Sequence, residues 1–185
     1  MSLTDTPNAN RLHIALFGRR NSGKSSLINA LTGQDTALVS DTPGTTTDPV
    51  AKAMEIHGIG PCLFIDTPGF DDEGELGKLR IQKAYQVLNK TDIAVLVIDG
   101  TSGITPQDNA ILTRIQDPDF TEELYWLEQL KAKGIPTILL INKTDIRKDS
   151  QALAIKVRES FGDTPVLISA KEKTGIEQIR RTILE

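Results

Sequence analysis

The chain has 185 residues, 38% of them hydrophobic and 25% charged, and its 21 Lys and Arg against 25 Asp and Glu leave a net charge of −4. A single domain with a core of Val, Ile, Leu and Ala is feasible at this length, and apolar runs mixed with charge speak against a disordered chain. The acidic balance disfavours a broadly basic nucleic-acid binder, and no apolar run approaches the roughly 18–20 residues needed to span a bilayer.

One cysteine, Cys62, permits no intrachain disulfide, and with two histidines the chain cannot build a Cys-rich zinc or iron–sulfur site. Residues 1–10 are polar and carry no signal-like apolar stretch; they are expected to form a flexible N-terminus before one domain over 11–185, in a reducing cytoplasm.

In chain order, residues 12–17 (LHIALF), ended by Gly18, are predicted to form a buried strand, and residues 25–31 a helix. Between them, Gly18-Arg19-Arg20-Asn21-Ser22-Gly23-Lys24-Ser25 fits G-x-x-x-x-G-K-[ST]. In such a loop the glycines let the backbone curl so that successive N–H groups point at phosphate oxygens, and the helix N-terminus adds its positive dipole end. Gly18, Asn21, Ser22, Gly23, Lys24, Ser25 and Ser26 are therefore the candidate phosphate-binding set. Lys24 supplies charge to the β- and γ-phosphates, and Ser25 a hydroxyl ligand to Mg²⁺.

Residues 34–48, rich in Thr, Asp and Pro, read as a long loop. Residues 50–56 and 62–65, separated by His57-Gly58-Ile59-Gly60-Pro61, suggest two adjacent antiparallel strands. Asp66-Thr67-Pro68-Gly69 follows. Asp66, at a strand's carboxyl end, can hold Mg²⁺ through water, and Gly69 lets its N–H approach a γ-phosphate. Ile81, Ala84, Tyr85 and Leu88 form a helical stripe. Residues 93–98 and 136–141 are near-continuous apolar runs, which suit parallel strands covered on both faces. Residues 105–115 and 121–133 read as helices broken by Asp117-Pro118-Asp119. The segment 117–128 carries Asp117, Asp119, Glu122, Glu123 and Glu128 with no base; it reads as a solvated acidic face, with a partner surface as the alternative.

Asn142-Lys143-Thr144-Asp145 comes next. Guanine presents two N–H donors on one edge, and a fixed carboxylate at Asp145 accepts both, whereas adenine lacks that pattern. Lys143 can lie over the base or near the phosphate loop. Leu153, Val157 and Phe161 mark a helix and residues 165–169 a last strand. Ser169-Ala170-Lys171 can complete the pocket through a backbone N–H to guanine O6. Ile176, Ile179 and Ile183 mark a closing helix. The alternation predicts an α/β fold: a mostly parallel six-stranded sheet with one antiparallel strand and helices on both faces, its ligands outside the carboxyl ends of the strands. Cys62 reads as a small core residue, His13 and His57 as structural, and Tyr125 and Trp126 as packing groups. Arg19 and Arg20 have no clear claim to be an arginine finger.

Lys24, Thr45-Thr46, Asp66 to Gly69, Asn142 to Asp145 and Ser169 to Lys171, in this order, resemble the five motifs of the translation-factor-related small GTPases across residues 11–184, which implies a P-loop GTPase fold. Asp41-Thr42-Pro43-Gly44-Thr45-Thr46-Thr47-Asp48-Pro49-Val50, with Ala53 to Ile56, Gly60-Pro61 and Asp66 to Asp72 followed by Gly74-Glu75-Leu76-Gly77, looks like the FeFe-hydrogenase maturation GTPase HydF. The tRNA-modification GTPase MnmE and ribosome-assembly GTPases carry arginine where Thr47 stands. The HydF resemblance implies a role in assembling or delivering a di-iron cluster, with the remaining HydF domains and hydrogenase or maturation proteins as partners. It allows dimerisation in a longer protein, of which this chain is expected to be one domain without an iron–sulfur cluster. No membrane is involved, and nucleic acid is disfavoured; a tRNA-modification or ribosome-assembly GTPase is the alternative.

The resemblance assigns GTP and GDP as ligands and GTP hydrolysis as the activity. Lys24, Thr46, Asp66 and Gly69 form the catalytic set, and Ser25, Thr46 and Asp66 the Mg²⁺ set, with Thr45 an alternative to Thr46. Phe70 stands where many relatives place a water-orienting Gln, so a low intrinsic rate is expected; an acid among Asp71, Asp72, Glu73 and Glu75 could serve instead. Asn21 matches the Asn of K⁺-dependent relatives and, with backbone carbonyls of residues 40–44, is the candidate K⁺ ligand.

Overall fold

The computed structural model describes residues 11–19, 21–32, 50–67, 75–101 and 121–185. Strand β1 (Leu12–Phe17) leads into helix α1 (Lys24–Thr32). The hairpin β2 (Val50–Ile56) and β3 (Gly60–Asp66) follows, then α2 (Glu75–Leu88), β4 (Ile93–Asp99), α3 (Thr121–Ala132), β5 (Thr137–Asn142), α4 (Ser150–Phe161), β6 (Val166–Leu167) and α5 (Ile176–Leu184). These strands form one six-stranded sheet in the order β2-β3-β1-β4-β5-β6. Among them only the β2–β3 pair is antiparallel; β3–β1, β1–β4, β4–β5 and β5–β6 run parallel. Among the described residues, no helix is long and apolar enough to cross a membrane.

The apolar runs of β1, β4 and β5 are continuous because these strands are covered on both faces, and strand side chains alternate between them. Ile14 and Leu16 of β1, Val95 and Val97 of β4, and Ile138 and Leu140 of β5 point to one side. There they pack on Leu27, Ile28 and Leu31 of α1 and Ile176, Ile179 and Ile183 of α5. Their neighbours Ala15, Phe17, Ala94, Leu96, Ile98, Leu139 and Ile141 face the other side, against α2, α3 and α4. Trp126 of α3 is fully buried there, with its ring 4.9 Å from Phe17 and 5.7 Å from Tyr85. The stripe of α4 (Leu153, Val157, Phe161) and that of α5 both lie in the core, as their spacing predicts. Of the α2 stripe, Ala84 and Leu88 are buried and Tyr85 half-buried.

Two elements differ from expectation. Gly60 and Pro61 belong to β3 rather than to the turn. Pairing with β1 starts only at Cys62, so at Pro61 the missing N–H faces no β1 ladder bond. The last strand contracts from residues 165–169 to Val166–Leu167, because Ser169 leaves the ladder to bridge with Thr174. The expected helix over 105–115 lies outside the described residues.

Cys62 is a fully buried strand residue, and burial pushes its thiol up to about 11. At mildly alkaline pH an aromatic disulfide reagent should therefore label the folded protein about a hundredfold more slowly than the denatured chain. Labelling at equal rates would contradict this placement.

Candidate nucleotide site

The motif residues that are described gather at the carboxyl ends of β1, β3, β5 and β6, with the end of β4 lying between those of β1 and β5. Parallel pairing forces this: Leu16 is registered with Asp66 and with Val95, and Asp99 with Asn142, so four strand ends open on one crevice. Thr67 ties two of them together; its hydroxyl donates to the Leu16 carbonyl at 2.6 Å.

The phosphate loop requires its glycines. Gly18 has φ 140° and Gly23 φ 96°. A Cβ at Gly18 would overlap the Val97 carbonyl oxygen, and one at Gly23 the Asn142 side-chain amide. Asn21 sits between them at φ 60°, a left-handed conformation that Asn tolerates better than most residues. Lys24, 6% exposed, lies across the loop and donates to the carbonyls of Gly18 (2.8 Å) and Arg19 (2.7 Å). A buried ammonium held at a helix N-terminus makes the loop an attractor for phosphate. Ser25 and Ser26 are exposed at the mouth, whereas Ser22 is fully buried.

Ser25 Oγ donates to Asp66 Oδ2 at 2.6 Å. Burial raises the Asp66 carboxyl above the ordinary carboxylate range, although the Ser25 hydrogen bond and the charges of Lys24 and Lys52 pull the other way. Its other oxygen, Oδ1, is buried without a partner among the described residues.

On the base side, Asn142 is 2% exposed and uses both ends of its amide. Nδ2 donates to the Ser22 carbonyl at 3.0 Å, and Oδ1 accepts the Ala170 N–H at 3.0 Å. One side chain thus fastens the phosphate loop to the 169–171 loop. Asp145 is exposed, and Ser169 Oγ donates to its Oδ1 at 2.6 Å. Ser169 Oγ in turn accepts the Glu172 N–H at 3.1 Å. Ala170 is buried and Lys171 exposed. Lys143, at φ 64°, turns its ammonium back to the Asn21 carbonyl (2.5 Å) and to Asp99 Oδ2 (2.6 Å). Between the two positions left open for Lys143, this places it beside the phosphate loop.

A family described as 50S ribosome-binding GTPase matches residues 13–143. The chain belongs to this GTPase family. It is 31% identical over 175 residues to the tRNA modification GTPase MnmE of Laribacter hongkongensis, covering 94% of this chain and 34% of that protein. The MnmE of Chromobacterium violaceum is 32% identical over the same shares. The chain therefore spans about a third of the length of these curated relatives. Among solved structures it is similar to a point variant of Aquifex aeolicus Era bound to GDP and AlF4⁻, with a TM-score of 0.66 and 27% identity over 93% of this chain and 55% of that one. It is also similar to NFeoB from S. thermophilus bound to GDP, AlF4⁻ and K⁺, with a TM-score of 0.57 and 25% identity over 92% and 60%.

The described motif residues are thus linked by hydrogen bonds into one candidate site, while Thr45, Thr46, Pro68 and Gly69 lie outside the described residues, as do Thr47 and Phe70. The relatives reported carry the MnmE name, not that of the hydrogenase maturation factor, so the finer HydF assignment gains no support from them. Mg²⁺ fits the residues present: the Ser25 hydroxyl and the Asp66 carboxylate share one spot, and Asp66 Oδ1 has an unused lone pair there. Asp99 is a site residue that the motifs did not disclose. It is 8% exposed and, besides Lys143, accepts the N–H (2.8 Å) and hydroxyl (2.6 Å) of Thr101. Although burial opposes ionisation, these hydrogen bonds together hold its carboxyl below the ordinary range.

Proposed function

We propose that this GTPase domain is a slow, K⁺-stimulated GTP switch. The carrying observation is the convergence of Lys24, Ser25 and Asp66 with Asn142, Lys143 and Asp145 on one crevice. Lys24 lies across the phosphate loop to neutralise phosphate charge, and Ser25 and Asp66 would hold an Mg²⁺ that would add positive charge there. Thr46, in segment 34–49, and the Gly69 N–H, in segment 67–77, would complete the GTP-bound state, and these two segments are the expected switches. Phe70 cannot polarise water, which leaves positioning and electrostatics as the source of rate.

K⁺ would supply positive charge beside the β- and γ-phosphates, where Thr47 provides none. Asn21 suits the ligand role because its backbone is fixed by Lys143 while its side chain is exposed at the rim of the loop. The similarity to NFeoB from S. thermophilus, described bound to K⁺, supports this assignment. GTP turnover in KCl should exceed that in NaCl at equal ionic strength by about tenfold or more, and Asn21→Ala should remove the difference. Equal wild-type rates in the two salts would reject K⁺ stimulation; a K⁺ effect surviving Asn21→Ala would reject Asn21 as ligand.

Two finer assignments are proposed. The MnmE relatives favour a tRNA-modification GTPase. The Thr47 substitution, the 41–50 segment and the net charge of −4 favour the hydrogenase maturation factor, in which the domain would drive assembly or delivery of a di-iron cluster. Both place it in the cytoplasm. RNA binding by the full-length protein separates them: salt-sensitive tRNA association supports the first, and its absence beside a downstream Cys/His cluster supports the second.

A further inference from the structure

We propose that Asp99 is a positioning residue that pins Lys143 against the phosphate loop, so that the base site and the phosphate site hold a guanine nucleotide as one unit and release it slowly. Asp99 has anchors besides Lys143: its Oδ1 takes both the N–H and the hydroxyl of Thr101, and its Oδ2 accepts from the ammonium. Lys143 spends its second donor on the Asn21 carbonyl, in the middle of the phosphate loop. Its left-handed backbone, unusual for a Lys, is held on one side by the Ile168 carbonyl, which accepts both the N–H and the hydroxyl of Thr144. A second tie runs alongside, since the Gly100 N–H donates to the Asn142 carbonyl at 2.9 Å and the Arg147 guanidinium to the Gly100 carbonyl at 2.9 Å. The carboxyl end of β4 is thereby clamped to the base motif, and the base motif to the phosphate loop. Without the Asp99 charge, the half-buried Lys143 ammonium loses its anion and is drawn toward solvent, away from Asn21.

The inference rests on the chain binding guanine nucleotide, so wild-type binding is its control. Release of a fluorescent GDP analogue, chased with excess GDP, is measured for wild type, Asp99→Asn, Lys143→Met and the double variant. Asp99→Asn is expected to release the analogue about tenfold faster and to raise KM for GTP without lowering kcat. In the Lys143→Met background the same change should alter release by less than about twofold, because the residue it acts through is gone. Thr101→Val keeps the carboxylate but removes one of its anchors, and should speed release about two- to threefold; it carries the test if Asp99→Asn does not fold. Release unchanged in folded Asp99→Asn, or in Thr101→Val should that variant be needed, would overturn the proposal. So would an undiminished effect of Asp99→Asn on top of Lys143→Met. A wild type that holds no GDP would overturn the nucleotide assignment itself.

Discussion

Asp145→Asn is expected to reverse the base preference from guanine to xanthine. The carboxylate is exposed, and one of its oxygens already accepts from the Ser169 hydroxyl at 2.6 Å, so the side chain is oriented without a base present. Guanine offers two N–H donors to it. An amide in its place turns one acceptor into a donor, which meets the guanine N–H groups unfavourably but suits the carbonyl that xanthine carries instead of the 2-amino group. Losing a charge-assisted pair of hydrogen bonds and leaving donors unpaired should weaken GTP and GDP about a hundredfold or more, while xanthine nucleotides gain. Competition between the two nucleotides for the variant checks this, and an undiminished guanine preference would contradict the role of Asp145. Ser169→Ala, which only loosens the carboxylate, should show the same trend more weakly.

Ser25→Ala is expected to lower kcat/KM for Mg²⁺-dependent GTP hydrolysis by about two to three orders of magnitude. Its hydroxyl is both the donor to Asp66 Oδ2 and the direct ligand assigned to the ion. Removal costs the metal a ligand and costs Asp66 the hydrogen bond that most opposes its burial-raised proton affinity. Ser25 itself is exposed, but its loss leaves the half-buried Asp66 carboxylate without that hydrogen bond, so thermal stability without nucleotide should fall modestly. Nearly unchanged Mg²⁺ dependence in the variant would remove Ser25 from the metal site. Ser26→Ala, also exposed but without the Asp66 contact, serves as the neighbouring comparison.

Much of this architecture is legible in the sequence because the physics is local. Runs such as residues 12–17 and 93–98 are apolar on both faces, so they must be strands of a covered sheet. The phosphate-loop glycines mark backbone conformations and close approaches that a side chain would block. Local signals mislead where tertiary context decides. Gly60-Pro61 carries turn residues yet extends β3, because only β2 pairs with it there. Residues 165–169 look like a full strand, yet Ser169 is diverted to orient Asp145 and to bridge with Thr174. Asp99 was invisible for a different reason. It ends an ordinary apolar run 44 residues before Lys143, and only the parallel register of Asp99 with Asn142 brings the two together. Likewise, the double role of the Asn142 amide depends on contacts with Ser22 and Ala170 that no motif spacing encodes.

The most direct test of the central claim is phosphate release by the chain supplied with Mg²⁺ and KCl, with GTP and ATP compared side by side. GTP should turn over slowly but measurably, at a rate that Ser25→Ala abolishes, and ATP should be neither hydrolysed nor able to compete with GTP. Hydrolysis of ATP at a comparable rate, or GTP turnover indifferent to Ser25→Ala, would contradict the account.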